Sequence, residues 1–92
     1  YKDAIRYFND AARIDPNFSD AYFNLGSIYY DQKNFNAAVQ AFSRVIAITP
    51  MDYEARYRLG LSYDKLERYN EAMAMFQTIP TTDRIYGQAS AK

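Results

Sequence analysis

Apolar side chains recur every three or four residues along most of the chain, in blocks separated by short polar or proline-containing segments. This is the spacing of one face of an amphipathic helix. The blocks therefore predict an all-α protein without a sheet. Helices are expected at residues 1–14, 19–32, 35–48, 53–66 and 69–78, with a short sixth helix after Thr82.

The blocks repeat with a period of 34 residues. Small, large and helix-ending residues all return in one register, and a single amphipathic helix does not produce eight such coincidences by chance. The matching pairs are Leu25 with Leu59, Gly26 with Gly60, Tyr29 with Tyr63, Ala38 with Ala72, Phe42 with Phe76, Ala4 with Ala38, Phe8 with Phe42 and Pro16 with Pro50.

The recurring small residues mark the places where two antiparallel helices are expected to approach most closely. A side chain larger than that of Gly26 or Ala38 would push the helix axes beyond the usual ~8–10 Å. Tyr29 and Phe42 are the large residues that fill the space beside them. Pro50 cannot continue a helix, so it fixes the turn into the next unit.

Local signals also predict where some helices begin and end. Ser19, followed by an acidic residue, is expected to cap the second helix. Pro80 comes several residues before the position equivalent to Pro50, so the fifth helix is expected to end near Thr78.

The stretch 22–50 carries the residues that resemble a known repeat. It has an aromatic residue, a Leu-Gly pair, a tyrosine, an alanine, a phenylalanine and a proline, at Tyr22, Leu25, Gly26, Tyr29, Ala38, Phe42 and Pro50. This order over about 34 residues resembles the tetratricopeptide repeat. The resemblance divides the chain into the second helix of an incomplete repeat (1–18), a complete repeat (19–52), a shortened repeat (53–80) and the start of a further helix (81–92).

The resemblance implies antiparallel helix pairs stacked into a right-handed superhelix, whose concave face is lined by first helices and usually binds peptides or proteins. Some residues depart from the family pattern. Arg56 stands where Tyr22 and the family's tryptophan stand, so an aromatic anchor is expected to be lost. Lys33 and Glu67 occupy turns in which the family commonly has glycine, and Asn34 is expected to take the left-handed conformation there.

Composition and charge exclude several function classes. The chain has 11 Lys and Arg, 11 Asp and Glu, and no cysteine or histidine. Balanced charge predicts no binding to nucleic acid, and no apolar stretch reaches the ~18 residues of a membrane span. Without cysteine and histidine, disulfides, thiolate chemistry and most zinc sites are excluded. We therefore expect no cofactor, no metal site and no catalytic activity.

Aromatic residues that lie off the helix seam are the candidate binding residues. Phe23 and Tyr57 lie 34 residues apart, so they occupy equivalent positions on successive first helices, which in the family face the groove. The candidate groove residues are Phe23, Asn24, Ser27, Tyr30, Tyr57, Arg58 and Leu61. Because the surrounding charge is mixed, the expected ligand is an apolar or aromatic peptide, bound with weak salt dependence.

Chaperone-binding members of the family hold a carboxylate with a clamp of Lys, Asn and Arg. Asn24 and Arg58 match the Asn and Arg of that clamp. Glu54 stands at the position of the Lys and reverses its charge, so a two-carboxylate clamp is not expected.

These features predict a non-catalytic protein–protein interaction scaffold that binds a peptide or partner helix in a concave aromatic groove. Two alternatives stay open. The chain is a structural repeat segment that forms oligomers, or it is the adaptor part of a larger enzyme. Because the sequence begins in the middle of the repeat pattern, we also expect self-association through open repeat ends.

Overall fold

Consecutive helices make up the described part of the chain, residues 2–80 of a computed structural model. The helices are α1 (Lys2–Ile14), α2 (Ser19–Asp31), α3 (Phe35–Ile48), α4 (Tyr53–Lys65) and α5 (Tyr69–Gln77). No strand occurs within these residues. The expected all-α class is confirmed, and the helix ends at residues 2–80 fall within one residue of those expected. Tyr1, the expected sixth helix and the segment 81–92 lie outside the described residues.

Each helix packs against the next helix along the chain, α1 on α2, α2 on α3, α3 on α4 and α4 on α5. This is the contact pattern of a solenoid, in which each unit buries its apolar face on its neighbours. None of these helices is long and apolar enough to cross a membrane.

The core lies at the joint between the two repeats. Ala38 and Phe42 of α3 are fully buried, and Leu59 of α4 packs with them at 3% exposure. A Cβ atom on Gly26 would lie 2.7 Å from Cε1 of Phe42, inside van der Waals contact. Gly60 has the same relation to Phe76, at 2.5 Å. The small residues therefore stand where helices approach most closely, as the repeat pattern predicted.

The turns inside each repeat differ from expectation. Lys33 and Glu67 take the left-handed conformation themselves, with φ of 63° and 61°. The expectation for Asn34 was wrong, because its φ is −92° and its Oδ1 caps α3 by accepting from the Ala37 amide at 3.4 Å. A capping residue needs a non-helical backbone of negative φ, so the left-handed position falls one residue earlier.

The start of α2 also differs. The N-cap residue is Phe18, not Ser19, and its side chain makes no capping hydrogen bond. The Phe18 amide bonds to the Asp15 carbonyl at 3.0 Å, and the Phe18 carbonyl accepts from Ala21 at 3.1 Å, which starts the helix one residue early. At the equivalent position of the next repeat, Asp52 Oδ1 does cap α4, accepting from the Ala55 amide at 3.0 Å.

The strained turns give a stability prediction. Lys33→Gly and Glu67→Gly should each raise the free energy of unfolding by about 0.5–1 kcal/mol, because glycine removes a left-handed penalty of ~1–2 kcal/mol and loses part of that gain to its unfolded-state entropy. Urea denaturation followed by circular dichroism measures the change. Gln32→Gly is the matched control, since φ at Gln32 is −79° and the substitution there should not stabilise. A gain as large at Gln32 would contradict the assignment.

The residue that replaces the family's aromatic anchor makes a different contact. In the first repeat, Arg44 Nη2 donates to the Tyr22 hydroxyl at 3.4 Å, and its guanidinium lies 5.2 Å from the ring centroid. In the second repeat, Arg56 Nη1 donates to the Thr78 hydroxyl at 3.2 Å. Its Nε donates to the Pro50 carbonyl at 2.8 Å. The aromatic anchor is lost, as expected, and an arginine on the first helix restores the link to the second helix.

Candidate functional site

Each repeat places an aromatic residue of its first helix against a phenylalanine of its second helix. Phe23 meets Phe42 edge to face, with ring centroids 5.6 Å apart and planes at 75°. Tyr57 meets Phe76 at the equivalent positions, at 5.9 Å and 45°. Phe23 and Tyr57 are half-buried. Their rings are therefore held by the core while part of each remains accessible.

Arg58 links the two first helices. Its guanidinium carbon lies 5.4 Å from the Phe23 centroid, a cation–π contact between α4 and α2. Its Nε and Nη2 both donate to Glu54 Oε2, at 3.3 and 3.2 Å. Glu54 therefore neutralises Arg58 and fixes its direction.

Tyr30 lies at the C-terminal end of α2, and its half-buried ring packs on Phe35 at 5.2 Å. Burial raises the pKa of the Tyr30 phenol above its ordinary value, and the neighbouring Tyr57 and Asp64 act in the same direction, while Arg58 opposes them. These interactions put Tyr30 near the α4 side chains. Its hydroxyl stays neutral at pH 7 and can both donate and accept a hydrogen bond.

The remaining candidates differ in position. Ser27 and Leu61 are half-buried, and each follows Phe23 or Tyr57 by one helical turn on the same helix face. Asn24 is exposed, and its amide donates to the Asp20 carbonyl of its own helix at 2.9 Å. The two residues that match the carboxylate clamp therefore both have partners within the chain.

The side chains that meet between the first helices define a surface named here the α2–α4 groove. Its residues are Phe23, Ser27 and Tyr30 of α2 and Tyr57, Arg58 and Leu61 of α4. Sequence reasoning missed the support from Phe35, Phe42 and Phe76. The 19-residue spacing from Phe23 to Phe42, repeated from Tyr57 to Phe76, is the signal that could have indicated two of them.

Family comparisons agree with this repeat geometry. A model described as TPR repeat matches residues 26–67, and two models described as tetratricopeptide repeat match residues 7–40 and 54–82. Together the three cover the chain from residue 7 to residue 82. The chain belongs to the tetratricopeptide-repeat family. Repeats of this family are generally non-catalytic modules of protein–protein interaction, so the chain is an interaction scaffold in that general sense.

Similar proteins contain such repeats within much longer chains. Superkiller protein 3 of Saccharomyces cerevisiae is 26% identical over 77 residues, covering 84% of this chain. BBSome complex member BBS4 of Xenopus tropicalis is 29% identical over 69 residues, covering 75% of this chain. The matches span only 5% and 13% of those relatives.

A solved structure confirms the stacked helix pairs of the repeat superhelix. The crystal structure of MamA protein superposes with a TM-score of 0.77 at 27% identity, covering 79% of this chain and 40% of that one.

Proposed function

We propose that the α2–α4 groove binds a peptide or a helix of a partner protein through an apolar or aromatic side chain. The observation that carries the proposal is the repeated aromatic pair, in which Phe23 and Tyr57 are held by Phe42 and Phe76 and remain partly exposed. Leu61 and Tyr30 extend this surface along the same helices.

Rigid support makes these aromatic residues suitable anchors. An aromatic ring that is already held in one orientation loses little conformational entropy when a ligand covers it. Buried aromatic contacts at the centre of an interface are typical hot spots, worth ~2 kcal/mol or more each. The ligand's apolar side chain would therefore lie between Phe23 and Tyr57.

Arg58 would orient the bound segment. Glu54 engages its Nε and Nη2, while Nη1 forms no hydrogen bond within residues 2–80. That donor remains for a backbone carbonyl of the ligand. Because Glu54 neutralises the guanidinium, we do not expect Arg58 to select a free carboxylate.

The test is loss of binding in groove variants. Peptides selected from a displayed random library on the immobilised chain serve as probes, and fluorescence polarisation gives Kd. Tyr57→Ala and Phe23→Ala should each weaken binding at least about tenfold. Tyr69→Ala is the matched control, since Tyr69 lies on α5 and is 57% exposed. Selected peptides that bind both groove variants as tightly as the parent would place the site elsewhere.

Stability has to be measured alongside binding. Phe23 packs on buried Phe42, so Phe23→Ala should also lower the melting temperature, and binding is compared below the melting range of every variant. Self-association is the other candidate, favoured by exposed Tyr7, Tyr69 and Met73 on α1 and α5. Sedimentation of the same samples separates the two, because self-association raises the mass without added peptide.

A further inference from the structure

Charge is unevenly distributed along the α2–α4 groove. At one end, Arg58 and Glu54 form an ion pair at 3.2 Å. At the other end, Asp31 and Asp64 lie near Tyr30, and neither carboxylate forms a hydrogen bond or ion pair within residues 2–80. The groove is therefore neutral near Phe23 and acidic near Tyr30.

The helix register explains this polarity. Phe23, Ser27 and Tyr30 follow an i, i+4, i+7 spacing along one face of α2. Tyr57, Leu61 and Asp64 repeat that spacing on α4, so Asp64 occupies the position of Tyr30 in the next repeat. An aromatic stripe on one helix thus faces a stripe that ends in a carboxylate on the other.

The helix termini add to the negative potential. Asp31 is the last residue of α2, and Asp64 is in the last turn of α4. Backbone carbonyls at a helix C-terminus carry partial negative charge, so an acidic residue there is unfavourable for the helix and favourable for a bound cation. Lys33 and Lys65, their nearest basic neighbours along the chain, form no ion pair with either carboxylate within residues 2–80.

We propose that the segment bound in the α2–α4 groove carries a Lys or Arg beside its apolar anchor, with the cationic head at Asp31 and Asp64. This inference rests on the proposed groove function and names the chemistry of its ligand. The aliphatic stem of such a side chain packs on Tyr30 and Tyr57, while the charged head reaches the carboxylates. The tyrosine faces add cation–π attraction.

This arrangement replaces the expectation of weak salt dependence with a moderate one. Two unpaired carboxylates attract a cationic ligand, and added salt screens that attraction. An acidic segment is disfavoured by the same charges, and it would gain little from Arg58, which Glu54 already neutralises.

The experiment compares libraries and variants. Displayed random peptides are selected on the parent chain and on Asp31→Asn/Asp64→Asn. The control is Asp3→Asn/Asp10→Asn, which removes two carboxylates from exposed positions on α1. The parent and the control should enrich Lys or Arg next to an aromatic or aliphatic residue. The Asp31→Asn/Asp64→Asn variant should keep the apolar preference and lose the basic one.

A selected peptide then tests the contact directly. The Asp31→Asn/Asp64→Asn change should weaken its binding about tenfold and flatten its salt dependence. Replacing the peptide's Lys or Arg with norleucine should weaken binding to the parent by a similar factor, and binding to the variant less than about twofold.

The outcomes distinguish the two proposals. Peptides that depend on Tyr57 and lack basic residues would overturn the cationic ligand and leave the groove function intact. Two losses that multiply independently would also overturn the direct contact. Peptides unaffected by Tyr57→Ala would overturn the groove function, and this inference with it.

Discussion

Replacing Phe42 with alanine is expected to lower the free energy of unfolding by about 3–5 kcal/mol. The ring is fully buried. It lies against the backbone of Gly26, meets the Phe23 ring at 5.6 Å, and packs with Leu59 across the joint between repeats. Truncation therefore leaves a cavity that touches three helices, and none of them can collapse into it without moving the others.

Phe76→Ala is the matched comparison for this prediction. Phe76 occupies the equivalent position in the next repeat, contacts Gly60 and Tyr57, and is only half-buried. Its truncation should cost about half as much, because less apolar surface leaves contact with the core. Urea denaturation followed by circular dichroism measures both variants. Equal costs would mean that burial at the repeat joint does not set the stability of the array.

Most of the fold was predictable because the repeat itself carries the information. A helix stripe and a 34-residue period are properties of many positions together, so one unusual residue such as Arg56 does not hide them. The close approach at Gly26 was predictable for the same reason, since a glycine paired with a large residue in successive repeats indicates packing.

The errors concern single residues whose roles depend on backbone geometry. Asn34 can either take a left-handed conformation or cap the following helix, and composition alone does not decide between them. The structure uses it as the cap of α3 and places Lys33 at positive φ. Ser19 looks like a cap, but the preceding turn begins α2 one residue early, at a phenylalanine that cannot cap.

The candidate groove was predictable in part. The equivalence of Phe23 and Tyr57 follows from the period, and the pairing of Arg58 with Glu54 follows from their i, i+4 spacing. The contact of Arg58 with Phe23 was not predictable, because it joins two helices whose relative rotation no sequence spacing specifies. The acidic end at Asp31 was missed, since summing all groove charges hides which of them are already paired.

Gly26→Leu is expected to destabilise the chain by at least about 1–3 kcal/mol, although leucine favours helices more than glycine does by nearly 1 kcal/mol. Even the first atom of a side chain at this position would lie 2.7 Å from the Phe42 ring. Phe42 cannot turn away freely, because it is fully buried and held by Phe23. Overpacking therefore exceeds the gain in helix propensity.

The decisive measurement combines this change with the truncation of Phe42. A leucine at position 26 can fill part of the volume that Phe42→Ala vacates, so the two costs should not add. The Gly26→Leu/Phe42→Ala variant should be at least about 1 kcal/mol more stable than the sum of the single variants predicts. Ala47→Leu on the exposed side of α3 is the control for helix propensity and should be nearly neutral. Additive costs in urea denaturation would mean that Gly26 is small for a reason other than its contact with Phe42.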